Sequence, residues 1–138
     1  MDIAIQTCGV RLMAVVRRIL LHPIAREEGE AVMIHASVRM VLPATRLSEV
    51  IGILAPLAER TKAERGCLGC HLYRDALEEA VLTLEATWAS EADLERHLRS
   101  QDYRQLLLVM ELAQVPPEVR FDRVLHSTGF ETVEQARG

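Results

Sequence analysis

The sequence predicts an α+β domain of the ferredoxin-like kind, with one antiparallel sheet and two helices packed on a single face. Three observations predict it. Apolar residues alternate with a period of two in four short stretches, the signature of half-buried strands. Between the first and second of these, and again between the third and fourth, the apolar spacing becomes helical. Only the short connector ALEEA separates the second stretch from the third, so those two strands pair as a hairpin and the helices make the crossovers. The order is β-α-β-β-α-β. The sheet face away from the helices then needs a cover, and a second copy of the chain is the simplest one.

Residues 1–30 form an N-terminal extension ahead of a single domain over 31–138. VRLMAVVRRILLHP places Leu12, Val15, Val16, Ile19 and Leu20 on one helical stripe, and Pro23 ends it. This reads as a terminal helix packed on the domain or on a partner subunit. A membrane-surface helix fits less well, because the stretch has few basic residues and no Trp or Phe.

The first strand spans 32–42. Val32, Ile34, Ala36, Val38, Met40 and Leu42 share one face, and Met33, His35, Ser37, Arg39 and Val41 share the other. Pro43 stops it. A helix follows over about 46–62, with Thr45 as N-cap and Leu47, Val50, Ile51, Leu54, Leu57 and Ala58 as its stripe. Pro56 inside that pattern predicts a kink or an early end.

CLGCHLYRD is the second strand. AVLTLEATW is the third, with Leu82, Leu84, Ala86 and Trp88 on one face. Ser90 and Asp93 make a capping-box pattern that opens the next helix. Its stripe runs through Leu94, Leu98, Tyr103, Leu106, Leu107 and Met110, with a break near Ser100. VPPE ends it, VRFDRVLHS is the fourth strand, and FETVEQAR forms a C-terminal turn or short helix.

Bulk properties narrow the function. A net charge of −4 over 138 residues gives no electrostatic reason to expect nucleic acid or an anionic membrane as partner. No stretch is apolar for long enough to span a bilayer. Asp2 precedes the apolar run LMAVV and Arg17 and Arg18 follow it, the reverse of a secretory signal, so a cytoplasmic protein is expected. Three cysteines in such a chain read as free thiols.

Cys67-Leu68-Gly69-Cys70-His71 matches the C-x-x-C-H string of covalent haem attachment. Its context favours another reading. Reactive pairs sit at helix N-termini, whereas this one falls where a turn enters a strand. Residues three apart in an extended strand point to opposite faces, which would splay the thiols. A metal would need further ligands, and Cys8 is remote in sequence. Cys67 and Cys70 therefore read as small core residues, with no metal or cofactor expected.

The histidines are His22, His35, His71, His97 and His126. His35 shares a strand face with Ser37 and Arg39, His71 with Tyr73, and His126 with Asp122 and Val124. Those faces either line one cavity, where proton transfer would use them, or meet solvent or a dimer partner. His97 either tilts toward a pocket with Leu94 and Leu98, or pairs with Asp93 on the helix surface. Trp88 is either core or a wall for a flat ligand. Tyr103 offers a hydrogen bond to a carbonyl or phenol oxygen. Arg39 and Arg74 offer a cation to an anion, or pair with surface carboxylates.

Glu64, Gly66, Cys67, Tyr73, Asp75, Trp88, Ser90, Glu91, Leu94, His97 and Leu98 also fall in step with a larger pattern. It comprises an acidic-x-Gly-Cys turn, an aromatic strand with Asp near its end, a strand ending in Trp-x-Ser, then acidic residues and His-Leu. This resembles the antibiotic-biosynthesis-monooxygenase-like family of dimeric α+β barrels, over about residues 33–127. The resemblance implies a homodimer whose two sheets form a barrel, each subunit holding a pocket between sheet and helices. Monooxygenase members oxidise polycyclic aromatic substrates such as anthrones or quinols without metal or flavin; others degrade haem, act on quinones or process small signalling molecules.

The chain departs from the haem-degrading members. His97 stands where their catalytic Trp would fall, Leu107 where their haem-ligating His would fall, and the first strand has no Asn. Cys70 and Ala86 stand where relatives often place Tyr and an acidic residue.

Residues and resemblance together predict a cofactor-independent monooxygenase for a small flat aromatic or quinonoid molecule. His97, or a strand histidine such as His35, would remove a proton. Tyr103 or Arg39 would steady the oxyanion, and Trp88, His71, Tyr73 and Cys70 would bound the substrate. The alternatives are a dimeric barrel that binds a ligand without turnover and, more remotely, a haem protein.

Overall fold

A computed structural model describes residues 33–138 of the chain. The helix expected over 1–30, with Cys8 and His22, lies outside the described residues. The elements are β1 (Met33–Val41), a 3-10 turn (Ala44–Arg46), α1 (Leu47–Lys62), β2 (Cys67–Arg74) and β3 (Val81–Trp88). Then come α2 (Glu91–Leu98), α3 (Gln101–Met110), β4 (Glu118–Val124) and α4 (Glu131–Arg137). The strands pair antiparallel in the order β2-β3-β1-β4. The first and third strands are thus central, as two right-handed crossovers in a ferredoxin-like α+β fold require.

Alternation puts the apolar residues of the central strands on the helix side. Ile34, Val38 and Met40 of β1 and Leu82, Leu84 and Trp88 of β3 are buried there. Val50, Leu54 and Leu57 of α1, Leu94 of α2 and Leu106 and Met110 of α3 pack onto them. The opposite face carries His35, Ser37 and Arg39 of β1, all half-exposed, and the exposed His71 and Tyr73 of β2.

Four expectations change. First, of the kink or early end expected at Pro56, the early end does not occur, and α1 runs on to Lys62, the end its apolar stripe predicts. Pro56 is exposed and its ring faces the turn of Gly52, where an added Cβ would meet nothing within 4 Å. The carbonyl that a proline leaves unpaired can then be met by water, while Leu57, Ala58 and Thr61 hold the last turns to the core. Second, Thr45 does not cap α1. It lies within the 3-10 turn, closed by Arg46 N–H to the Pro43 carbonyl at 2.9 Å, and the helix start has no side-chain cap.

Third, β4 stops at Val124, so His126 leaves the sheet and is exposed instead of sharing a face with Asp122. Among the described residues the β1–β4 register runs from Arg39–Glu118 to Met33–Val124. Fourth, Cys67 and Cys70 lie on the same face. Cys67 pairs Trp88 and Gly69 pairs Thr87, so Leu68 is the extra residue of a bulge. One extra residue inverts the alternation. Cys67 therefore packs against the core that buries Cys70.

The long helix breaks where Ser100 predicts. Its hydroxyl accepts the Tyr103 N–H at 3.2 Å and starts α3. Ser90 does the same for α2, accepting the Asp93 N–H at 3.1 Å.

Candidate functional site

A pocket opens between the helix-side face of the sheet and helices α2 and α3. Its space is about 370 Å³ counting the open mouth, and its walls include Cys70, Trp88, Leu94, His97, Leu98 and Tyr103. The residues reach it by ordinary local rules. Trp88 ends β3 on the inward face, His97 lies in the last turn of α2, and Tyr103 lies in the first turn of α3.

His97 is the polar centre. Its side chain is only 7% exposed, and its ring stacks on Trp88 with centroids 4.6 Å apart and planes at 29°. Tyr103 meets the same imidazole edge-on at 5.5 Å. Nδ1 faces the Glu64 carboxylate, 2.9 Å from Oε2 and 3.2 Å from Oε1. Burial holds the His97 pKa below its usual 6.5, against the opposing pull of Glu64 and of Asp102. At neutral pH the ring is an uncharged base.

The neighbouring groups keep their protons. Burial pushes Tyr103 up to about 12 and Cys70 up to about 12, so each offers an O–H or S–H and not an anion. Burial likewise raises the Cys67 thiol. Trp88 is fully buried, yet its indole N–H has no hydrogen-bond partner among the described residues.

The Glu64 contact depends on a tight turn. Gly66 has φ +83, in the left-handed region, and a Cβ there would overlap the Asp93 carboxylate. Its carbonyl accepts the Ala89 N–H at 2.9 Å, which ties the turn to the end of β3. Gly66→Ala is expected to cost on the order of 1–3 kcal/mol in backbone strain alone, read as a lower urea midpoint. An unchanged midpoint would refute this account of the turn.

His97, Trp88, Tyr103 and Cys70 come together as expected for a pocket. His35, Arg39, His71 and Tyr73 do not join them, because they lie on the far side of the sheet. His35 Nε2 is 3.6 Å from Glu85, and Arg39 pairs with Glu78 at 2.8 Å. The rings of His71 and Tyr73 are neighbours at 6.0 Å. His71 thus points away from both cysteines, and the three side chains of the C-x-x-C-H string do not converge. Arg74 is exposed. Among the described residues no three His, Cys, Asp or Glu side chains gather as metal ligands.

Two features escape sequence reasoning. His97 does not pair with Asp93, which is held by Ser90 and Arg96. Its partner Glu64 comes from a turn 33 residues earlier, a contact that helical spacing cannot reveal. And Trp88 presents less ring than a stacking wall would, since His97 already covers one face of the indole.

The fold agrees with comparison to known proteins. The sequence model of the antibiotic biosynthesis monooxygenase family matches residues 33–107, more than half of the 138-residue chain. The chain belongs to that family. No curated protein matches it in sequence. Solved structures share the fold at low identity. A conserved protein from Methanosarcina mazei is 22% identical, with a TM-score of 0.62 over 67% of this chain and 92% of that one. A Mycobacterium tuberculosis protein is 24% identical, with a TM-score of 0.63 over 70% and 99%. A Caulobacter crescentus protein assigned to the antibiotic biosynthesis monooxygenases is 21% identical, with a TM-score of 0.61 over 72% and 92%. Among the described residues no helix is long and apolar enough to cross a membrane.

Proposed function

We propose that this chain is a monooxygenase that oxidises a small flat aromatic or quinonoid molecule by proton removal and direct reaction with O2. The observation that carries the reading is the buried His97 in the wall of an apolar pocket, held among the described residues through Nδ1 alone, with burial keeping its pKa low. Family membership supports the reaction class. The pocket is lined mainly by apolar side chains, among them Leu84, Trp88, Leu94, Leu98 and Leu106, which suits an apolar ring at an open mouth.

The chemistry follows from the groups present. His97 Nε2 takes a proton from a phenol or an activated ring carbon. Tyr103 O–H and the unpartnered Trp88 N–H are the donors at hand for the oxygen of the resulting anion. That anion is electron-rich enough to reduce O2 itself. In an anthrone, CH2 becomes C=O, one oxygen atom enters the product, and the other leaves as water with both hydrogens. Substrate and O2 balance, so neither metal nor flavin is required.

The test is oxygen uptake by the purified chain with a panel of quinols and anthrones. Stoichiometric uptake with quinone formation is expected. Binding without uptake would instead identify a ligand-binding barrel, and neither would sink the pocket reading. The pH profile has a defined sign. A base with a lowered pKa is already free at neutral pH, so kcat/KM should be level above pH 6.5 and fall only below it. A fall beginning well above pH 6.5 would contradict the assignment of His97.

We further propose that the outer sheet face pairs with that of a second copy. Among the described residues no helix covers this face, and Leu68 and Tyr73 stand 57% and 50% exposed on β2. Light scattering should return the mass of two 15.5 kDa chains; a single-chain mass at working concentration would refute the pairing.

A further inference from the structure

The reaction scheme leaves Glu64 without a part. Its side chain leans from the turn between α1 and β2, is 27% exposed, and directs both oxygens at His97 Nδ1. A neutral imidazole has one N–H and one lone pair, whereas a carboxylate only accepts. The contact therefore admits one arrangement: Nδ1 carries the proton and donates it, and the lone pair falls on Nε2. Among the described residues Nε2 makes no hydrogen bond. The reverse tautomer would set the Nδ1 lone pair against the carboxylate.

We propose that Glu64 is the positioning residue of this site, fixing the His97 tautomer and ring orientation so that Nε2 meets the substrate as the base. This rests on the reading of His97 as proton acceptor. It adds a second action, because the carboxylate also favours the imidazolium formed when the proton arrives. Among the described residues no other carboxylate bonds the ring. Asp102 on α3 faces it but is held by Arg60 at 2.9 Å, and Asp93 on its own helix is held by Ser90 and Arg96. The remaining groups at the pocket, Tyr103 from α3 and Cys70 from β2, are protonated and neutral, and Trp88 from β3 offers only its indole.

The test needs no substrate. Heteronuclear NMR of the imidazole nitrogens in the full chain reads the tautomer and the titration of His97 directly. The wild type should show Nδ1–H with a bare Nε2 at neutral pH. Glu64→Gln keeps an accepting oxygen, so it should keep the tautomer; loss of the charge should move the His97 midpoint to still lower pH. Glu64→Ala removes the acceptor and should release a mixture with Nε2–H. The amide spectrum of each variant confirms the fold, and Glu64→Gln, nearly the same size, keeps the test valid if Glu64→Ala unfolds.

A proton on Nε2 in the wild type would overturn the proposal. So would an unchanged tautomer in Glu64→Ala, or a midpoint that rises in Glu64→Gln. With a turned-over substrate, kcat of Glu64→Ala should fall by at least about 10-fold, the lower end of the cost of removing the orienting partner of a metal-bound histidine, with KM little changed. A chain showing the Nδ1–H tautomer but no turnover would sustain the positioning role and remove the oxygenase reading. Turnover with the opposite tautomer would do the reverse.

Discussion

Replacing His97 with alanine should lower turnover of a quinol or anthrone by about 10²–10⁴-fold, the usual worth of a positioned general base. The size follows from the site. Tyr103 and Cys70 are held protonated, so neither can take over as base at neutral pH. The strand histidines cannot substitute either, because His35 and His71 lie across the sheet from the pocket. His97→Ala also removes one wall of the pocket, so KM should be measured alongside kcat by initial-rate oxygen uptake. Unchanged turnover in this variant would remove His97 from the mechanism.

Trp88→Ala should cost about 3–5 kcal/mol of folding stability, as large aromatic truncations in closed cores do. Trp88 is fully buried and belongs to the same cluster as Ile34, Leu94 and Leu106. The loss is a large share of the 5–15 kcal/mol typical of a domain, so partial unfolding at ambient temperature is expected. Trp88→Phe should cost clearly less. It keeps much of the ring and deletes an indole N–H that finds no partner among the described residues. Urea unfolding decides both. A loss below about 1 kcal/mol for Trp88→Ala would contradict the packing described.

The fold was readable because its cues are local. Alternation in β1 and β3, the serine caps at Ser90 and Ser100, and the short connector at 76–80 each act within a few residues. Where reading failed, the cause was also physical. The bulge at Leu68 adds one residue without disturbing composition, yet it reverses which face Cys67 occupies. Pro56 is tolerated because it meets solvent beside Gly52, a fact of burial and not of pattern.

The site was half readable. Trp88, His97 and Tyr103 could be placed near one another from strand and helix phases, and Cys70 joins them on the inner face. His35, Arg39, His71 and Tyr73 could be assigned to a common face, but alternation alone does not say that this face looks away from the helices. The Glu64 contact needed the folded chain, since it joins a turn to a helix across 33 residues.

The central claim is that the ring binds beside His97 on the helix side of the sheet. A crystal structure of the chain soaked with a small, oxidation-resistant phenol, whose hydroxyl can donate to a bare imidazole nitrogen, tests it most directly. The account predicts the ring in the pocket bounded by Trp88, Leu98 and Tyr103, with an oxygen within hydrogen-bond distance of His97 Nε2. A ring bound instead on the outer face, against His35, His71 and Tyr73, would contradict it.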